Sequence, residues 1–124
     1  MLLNPNSSEP IYNQIANLIK DQILNGELKE EDKVYSTNQL AALLNINPAT
    51  ALKGLNILIE ENVIYKKRGI GMFVCPEAKG IILKEKKENF YTNYMEAMMI
   101  EAEKLGISKR DLLQMIDKHY REVE

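Results

Sequence analysis

The sequence contains few of the residues from which catalytic and metal-binding sites are built. Cys75 is the only cysteine, His119 is the only histidine, and there is no tryptophan. A single cysteine cannot form an internal disulfide bond, which fits a reducing compartment. Cys75 and His119 lie far apart and have no partners at the spacings of metal ligands or of a nucleophile and its base. We therefore expect no metal centre, no cofactor and no enzymatic activity.

The chain also lacks long apolar runs and a net positive charge. No run approaches the roughly 20 residues that span a bilayer, and the first residues have neither the basic region nor the cleavage site of a signal peptide. These absences predict a cytoplasmic protein with no membrane partner. The net charge is −2, with seven basic and eight acidic residues in 1–75 and nine and ten in 76–124. Nucleic-acid binding would therefore depend on local clusters of basic residues.

Two short helices joined by a tight turn are predicted between Ser36 and Glu61. Ser36 and Gln39 have the spacing of a capping box. Asn47 is suited to cap the second helix, with Pro48 at its first position. Two capped helices joined by three residues are typical of a helix-turn-helix, but a helical hairpin buried in a core has the same pattern, so both interpretations stay open here. The apolar stripe expected on the first of these helices is Leu40, Leu43 and Leu44.

The flanking segments indicate a winged helix. A helix is predicted from Pro10, as its first residue, to Asn25, after a loose arm at residues 1–9. The charged segment Glu27–Lys33 is expected to be a solvated connector before a very short strand at residues 34–35. A strand at residues 63–67, a turn at 68–71 and a return strand at 72–74 form a hairpin, the wing. Three helices followed by this hairpin predict a winged helix-turn-helix.

Basic and small polar residues fall where such a module meets DNA. The outward, N-terminal positions of the second central helix can reach base edges or phosphates. They are Asn47, Ala49, Thr50 and Lys53. The wing adds basic side chains and glycines that allow a close approach to phosphates. They are Lys66, Lys67, Arg68, Gly69 and Gly71. Taken alone, the basic residues of the wing are better explained as a solvated turn, and it is the helix-turn-helix pattern before them that favours DNA contact.

The same segments resemble the DNA-binding domain of GntR-type transcriptional regulators. The resemblance covers about residues 10–74 without an obvious gap. It is carried by PIYNQI from Pro10, NGEL from Asn25, STNQLA from Ser36, NINPAT from Asn45 and ENVIYKKRGIGMFV from Glu61. The Asn-Pro start of the recognition helix and the short C-terminal part are most similar to the YtrA-type subgroup. The resemblance implies a winged-helix DNA-binding dimer, usually a repressor and often located beside transporter genes.

Two positions depart from the family pattern. The family often has Pro-Ser-x-Arg before the first of the two central helices, and its arginine contacts DNA. Here Asn38 takes that place, so the contact loses its charge. Many members also have an arginine where this chain has Pro48. Ser36 and Asn38 complete the residues expected at the DNA, and base-specific affinity is expected to depend more on Thr50, Lys53 and the wing.

A second, helical region is predicted for residues 76–124, after a DNA-binding domain at 1–75. Glu77–Gly80 is expected to be a linker, residues 81–105 one long helix, and Lys109–Arg121 a last helix. Ser108 and Asp111 form a second capping box after Gly106. Two such helices cannot close a core alone, so the pattern predicts a homodimer. The expected interface residues are Leu83, Phe90, Tyr94, Met98, Leu105, Leu112 and Ile116.

The predicted fold class is mainly α with a small β-hairpin (α+β), a winged helix-turn-helix followed by a two-helix dimerisation hairpin. The predicted function is a sequence-specific transcriptional regulator, most simply a repressor, that binds two-fold-related double-stranded operator DNA as a homodimer. The alternative is a protein-interaction module that keeps the winged-helix scaffold without binding DNA. No metabolite pocket is expected inside the monomer, although a small-molecule effector in a dimer cleft stays open.

Overall fold

The computed structural model describes residues 2–123 and has the predicted order of three helices, a hairpin and a helical C-terminal region. The helices and strands are α1 (Ile11–Leu24), α2 (Thr37–Leu44), α3 (Pro48–Glu60), β1 (Ile64–Lys67), β2 (Gly71–Val74), α4 (Ala78–Phe90), a π-helical segment (Tyr91–Met95), α5 (Glu96–Lys104) and α6 (Lys109–Val123). The chain divides into one compact unit that ends at Glu85 and a second that begins at Lys86. No helix within residues 2–123 is long and apolar enough to cross a membrane.

The core of the first unit forms where α1 packs against α3. Ile15 and Ile19 of α1 and Leu55 and Leu58 of α3 are completely buried. Gly54 allows the two helices to approach closely, because a Cβ atom there would lie 2.8 Å from Cγ2 of Ile15. This contact places α3 firmly on the scaffold while its other face remains in solvent.

The two central helices begin and end as their sequence predicts. The Ser36 hydroxyl accepts a hydrogen bond from the Gln39 N–H (3.1 Å), and the Gln39 side chain accepts one from the Ser36 N–H (2.9 Å). Asn47 accepts the Ala49 N–H at 2.8 Å, and Pro48 is the first residue of α3. The predicted apolar stripe of α2 is wrong at Leu43, which is 57% exposed, because Ala41 turns inward instead.

The wing is an antiparallel hairpin whose register pairs Ile64 with Val74 and Lys67 with Gly71. Both strands lie within one residue of their predicted limits. The short strand expected at residues 34–35 is displaced by one residue, because the isolated bridge joins Lys33 to Phe73. The hairpin thus has a third, very short neighbour on its β2 side.

The prediction of a loose N-terminal arm is wrong. The buried Gln14 side chain accepts a hydrogen bond from the Asn4 N–H and donates to the carbonyl oxygens of Asn4 and Glu9. Leu3 packs against the core. Pro10 is the N-cap of α1 rather than its first helical residue, because its ψ of 147° is extended. A single buried amide therefore fastens the arm to α1.

The predicted linker at residues 77–80 is also wrong, since α4 already begins at Ala78. Ala78 and Ile82 are buried in the core of the first unit, so the start of α4 belongs to that unit. The unit boundary after Glu85 consequently lies downstream of the expected division at residues 75 and 76. The functional division of the chain at that point stays a prediction.

A buried lysine joins three helical segments of the first unit. Lys20 of α1 is 3% exposed, and its ammonium lies 2.7 Å from the Glu61 carboxylate and 2.9 Å from the Glu85 carboxylate. Burial acts to lower the pKa of Lys20, but the hydrogen bonds and charges of Glu61 and Glu85 outweigh it, so the pKa lies above its usual 10.5. The stabilisation by these ion pairs is therefore complete at neutral pH. It is lost only as the pH rises through the raised pKa of Lys20.

Replacing Lys20 by methionine is expected to lower the free energy of unfolding by about 1–2 kcal/mol. The substitution leaves two facing carboxylates without their cation, and their partial exposure to water moderates the cost. Urea unfolding at pH 7 measures the effect. The matched control is Lys29→Met at an exposed lysine, which should change stability by less than about 0.5 kcal/mol. Equal stability of the two variants would show that the ion pairs contribute nothing.

In the second unit, the predicted long helix is present but contains a π-helical turn at Tyr91–Met95. The helix ends at Lys104, and Gly106 has the positive φ of 70° that the reversal requires. The predicted capping box is confirmed, because the Ser108 hydroxyl accepts the Asp111 N–H and the Asp111 carboxylate accepts the Ser108 N–H. Helix α6 follows, and none of its described residues is buried within the single chain.

Candidate nucleic-acid interface

Helix α3 has one buried face and one exposed face. Ala51, Gly54, Leu55 and Leu58 point into the core. Helical spacing then leaves a stripe of side chains in solvent on the opposite side. The stripe consists of Ala49, Leu52, Lys53 and Asn56. An exposed stripe on a rigidly seated helix has the form that enters a DNA major groove.

A groove of about 510 Å³ runs between α3, the start of α2 and the wing. We call it the wing groove. Its lining residues are Lys33, Val34, Ser36, Thr37, Asn38, Gln39, Leu52, Asn56, Ile59, Lys66, Ile70, Gly71 and Met72. Two lysines and several uncharged polar side chains belong to this set, and none of these lining residues is acidic. The local charge is thus positive although the chain as a whole carries −2.

The structure brings some of the predicted DNA contacts together in the wing groove. Ser36, Asn38 and Gly71 line it, and Asn38 is exposed. The side-chain oxygen of Asn47 caps α3 by accepting the Ala49 N–H, so the side-chain NH2 group of Asn47 is not used in the cap. Ala49 is exposed and Thr50 is half-buried at the first turn of α3.

Lys53 is exposed on α3 but has an intramolecular neighbour. Its ammonium lies 3.9 Å from the centre of the Tyr12 ring, a cation–π contact between α3 and α1. Such a contact at an exposed site contributes about 0.5–1 kcal/mol and restrains the side chain. Tyr12 therefore orients the cation that sequence reasoning placed at the DNA.

The basic residues of the wing divide between its two faces. Lys66 lines the wing groove, whereas the Lys67 ammonium lies 4.8 Å from the centre of the Phe73 ring on the other face. Arg68 and Gly69 are exposed at the tip, where Gly69 has a φ of +78°. The alternation of side chains along β1 explains this division.

Several lining residues of the wing groove were not predicted as individual DNA contacts. Leu52 and Asn56 continue the helical spacing from Ala49, so an extension of the outward stripe identifies them. Ile70 lies at the wing tip and is 61% exposed. Lys33 carries no such signal, because it ends a charged segment that resembles a solvated loop. Only its pairing with the wing brings it to the groove.

Metal ligands and the single cysteine are the groups of this chain that could support other chemistry. Within residues 2–123 there is no cluster of histidine, cysteine, aspartate or glutamate side chains that could hold a metal ion. Cys75 is half-buried, and burial raises the pKa of its thiol above the usual value, which disfavours the reactive thiolate.

Known proteins match the chain over the segments that build this surface. The family described as "Bacterial regulatory proteins, gntR family" matches residues 11–74, which is more than half of the chain. The HTH-type transcriptional repressor YtrA of Bacillus subtilis (strain 168) is 32% identical over 114 residues. That alignment covers 92% of this chain and 87% of the repressor.

Solved structures agree with these matches. A GntR family transcriptional regulator from Listeria monocytogenes superposes with a TM-score of 0.71 and 31% identity, covering 91% of this chain and 97% of that one. The DNA-binding domain of AraR in complex with operator ORX1 superposes with a TM-score of 0.55 and 25% identity, covering 60% of this chain and 93% of that one. The chain therefore belongs to the GntR family of bacterial regulatory proteins, a family of DNA-binding transcriptional regulators.

Proposed function

We propose that the protein is a cytoplasmic repressor that binds a two-fold-related operator as a homodimer and has no catalytic step. One observation carries the proposal. The stripe of α3 and the positive wing groove present a continuous, acid-free surface on a rigid scaffold. Helix α3 would enter the major groove while the wing tip meets the flanking backbone.

The relatives support the repressor role and the choice of DNA as partner. The similar YtrA protein is named as a transcriptional repressor, and the similar AraR domain was solved on its operator. We assign the base contacts to Asn47, Ala49, Thr50 and Lys53 on α3. The backbone contacts fall to Ser36, Asn38 and the wing residues Lys67, Arg68, Gly69 and Gly71.

The homodimer is proposed from the second unit, whose apolar side chains are largely in solvent. Contiguous apolar surface in water is characteristic of association surfaces. The exposed residues are Phe90, Tyr91, Tyr94, Met95, Met98, Met99, Ile100, Leu105, Leu113, Met115, Ile116, Tyr120 and Val123. Of the interface residues expected from the sequence, Leu83 is exposed on α4 and Leu112 is half-buried. A second copy of the chain supplies a matching apolar surface.

Operator binding tests the proposal directly. Footprinting on the DNA upstream of the protein's own gene should protect two half-sites related by a two-fold axis. Fluorescence anisotropy should then give a much lower dissociation constant for this duplex than for a scrambled one, with a steep dependence on salt concentration. Equal affinity for both duplexes would refute sequence-specific binding and favour the protein-interaction alternative.

Arg68→Ala should weaken operator binding uniformly and reduce the salt slope by about 1, because one phosphate contact at the wing tip is lost. The exposed tip makes no described core contact, so the melting temperature should stay within about 2 °C of the parent's. Lys29→Ala, at an exposed lysine outside the wing groove, is the matched control. An unchanged slope for Arg68→Ala would mean that the wing tip does not touch the DNA.

A further inference from the structure

The closest approach of α1 to α3 brings an aromatic side chain to the recognition helix. Gly54 makes this approach possible, and a Cβ atom on it would lie 3.0 Å from the Tyr12 carbonyl oxygen. The backbone of Tyr12 is therefore fixed where the two helices touch. Lys53 directly precedes Gly54 and is exposed, whereas Tyr12 is half-buried. The two side chains consequently leave neighbouring points of the scaffold, one from each helix.

The ammonium group of Lys53 lies over the Tyr12 ring, with Nζ 3.9 Å from the ring centre. The ring covers only one side of the ammonium, which has three N–H donors and no acceptor. Within residues 2–123, no carboxylate forms an ion pair with Lys53. The cation is therefore restrained in position and can still donate hydrogen bonds to an acceptor from outside the chain.

Lys53 carries the whole positive charge of the recognition helix, since it is the only basic residue between Pro48 and Glu60. Lysine has a long and flexible side chain. Fixing such a side chain at an interface reduces affinity by about two- to tenfold. A side chain that is already restrained before binding avoids part of this cost. The Tyr12 ring supplies that restraint from the neighbouring helix α1.

We propose that Tyr12 is a positioning residue for operator recognition, whose ring holds the Lys53 ammonium in place for a hydrogen bond to the edge of a guanine base. The proposal deepens the proposed function and rests on it. Lysine donates to O6 and N7 of guanine, which are the acceptors that this base presents in the major groove. Tyr12 acts through Lys53 and does not contact the DNA itself, so it contributes to specificity rather than to charge.

Anisotropy measurements with the full-length protein and its footprinted operator test this assignment. Tyr12→Leu removes the ring but keeps the charge of Lys53. Operator affinity should fall by about threefold for each half-site and about tenfold for the dimer, because the two half-site effects multiply. The salt slope and the affinity for a scrambled duplex should stay at the parental values, because no charge is lost. The matched control is Tyr12→Phe, which keeps the ring and should bind the operator like the parent.

A double-mutant cycle separates positioning from a general structural role. Lys53→Gln should abolish discrimination at one base pair of each half-site, which single base-pair changes in the operator identify. Tyr12→Leu should relax discrimination at the same base pair. Adding Tyr12→Leu to Lys53→Gln should change operator affinity by less than about twofold, because the residue through which Tyr12 acts is already gone.

Three results would overturn the proposal. A tenfold loss that persists in the Lys53→Gln background, or that equally affects the scrambled duplex, would show a structural role for Tyr12. A similar loss in Tyr12→Phe would show that the hydroxyl group contacts the DNA directly. Circular dichroism checks that each variant is folded, and Tyr12→Met provides a second variant without the ring. If the parent binds operator and scrambled duplexes equally, the proposed function itself has failed.

Discussion

Replacing Ile116 by lysine is expected to convert the proposed dimer into a monomer and to weaken operator binding by about 100-fold or more. Ile116 lies on the apolar side of α6 and is 40% exposed in the single chain. Each copy of the dimer would then bring one lysine into the apolar interface. Removing these two like charges from water costs free energy that the interface does not return. A monomer contacts only one half-site, so the affinity that a dimer gains by binding both half-sites at once is lost. Analytical ultracentrifugation and anisotropy measure the two effects.

The matched control for this variant is Gln114→Lys on the opposite side of α6 by helical spacing. It adds the same charge to the same helix and should leave both the dimer and operator affinity unchanged. A dimer that survives Ile116→Lys would refute the assigned interface. A truncation that removes the second unit should end after Glu85, because Ala78 and Ile82 belong to the core of the first unit.

Replacing Gly54 by valine is expected to lower the free energy of unfolding by about 3 kcal/mol, or the melting temperature by roughly 10–20 °C. A Cβ there would lie 2.8 Å from Ile15 Cγ2 and 3.0 Å from the Tyr12 carbonyl oxygen. Ile15 is completely buried and stiff at its first torsion, so it cannot move aside without disturbing α1. The helices must separate, and operator binding falls with the folded fraction.

Alanine at position 54 should have a smaller effect. Its methyl group meets the same atoms, but the gain of about 1 kcal/mol in helix propensity offsets part of the clash. The control is Gly80→Ala in α4, where a Cβ meets no atom within 4 Å. That variant should raise stability by about 0.5–1 kcal/mol. If Gly54→Val and Gly80→Ala proved equally stable, the close approach of α1 and α3 would be unimportant.

The local structure of the first unit could be predicted because each helix carries its own signals. Ser36 with Gln39, and Asn47 with Pro48, specify helix starts through contacts between residues three or fewer positions apart. Asn62 follows the C-cap Glu61 of α3 and has the left-handed conformation, with a φ of 62°, that asparagine tolerates at a helix end. These interactions need no distant partner, so the sequence contains all the information that they require.

The errors arose where a distant partner decides the conformation. Residues 77–80 have the composition of a linker, but burial of Ala78 favours a helix that begins there and includes residues 78–80. The N-terminal arm is polar, yet the Gln14 amide holds it through three hydrogen bonds. Lys20 falls beside an apolar stripe and showed no sign that Glu61 and Glu85 would surround it. Each of these contacts joins segments that no local sequence pattern shows to be neighbours.

The candidate DNA surface shows the same division. The sequence by itself determined the recognition helix, the wing and the outward positions Ala49 and Lys53, because helical spacing and turn residues are local properties. Only the tertiary structure decided that Lys33 belongs with the wing, which face of the hairpin borders the wing groove and that Tyr12 restrains Lys53. Those relations depend on which strand pairs with which and how helices pack, and burial of a shared core sets them.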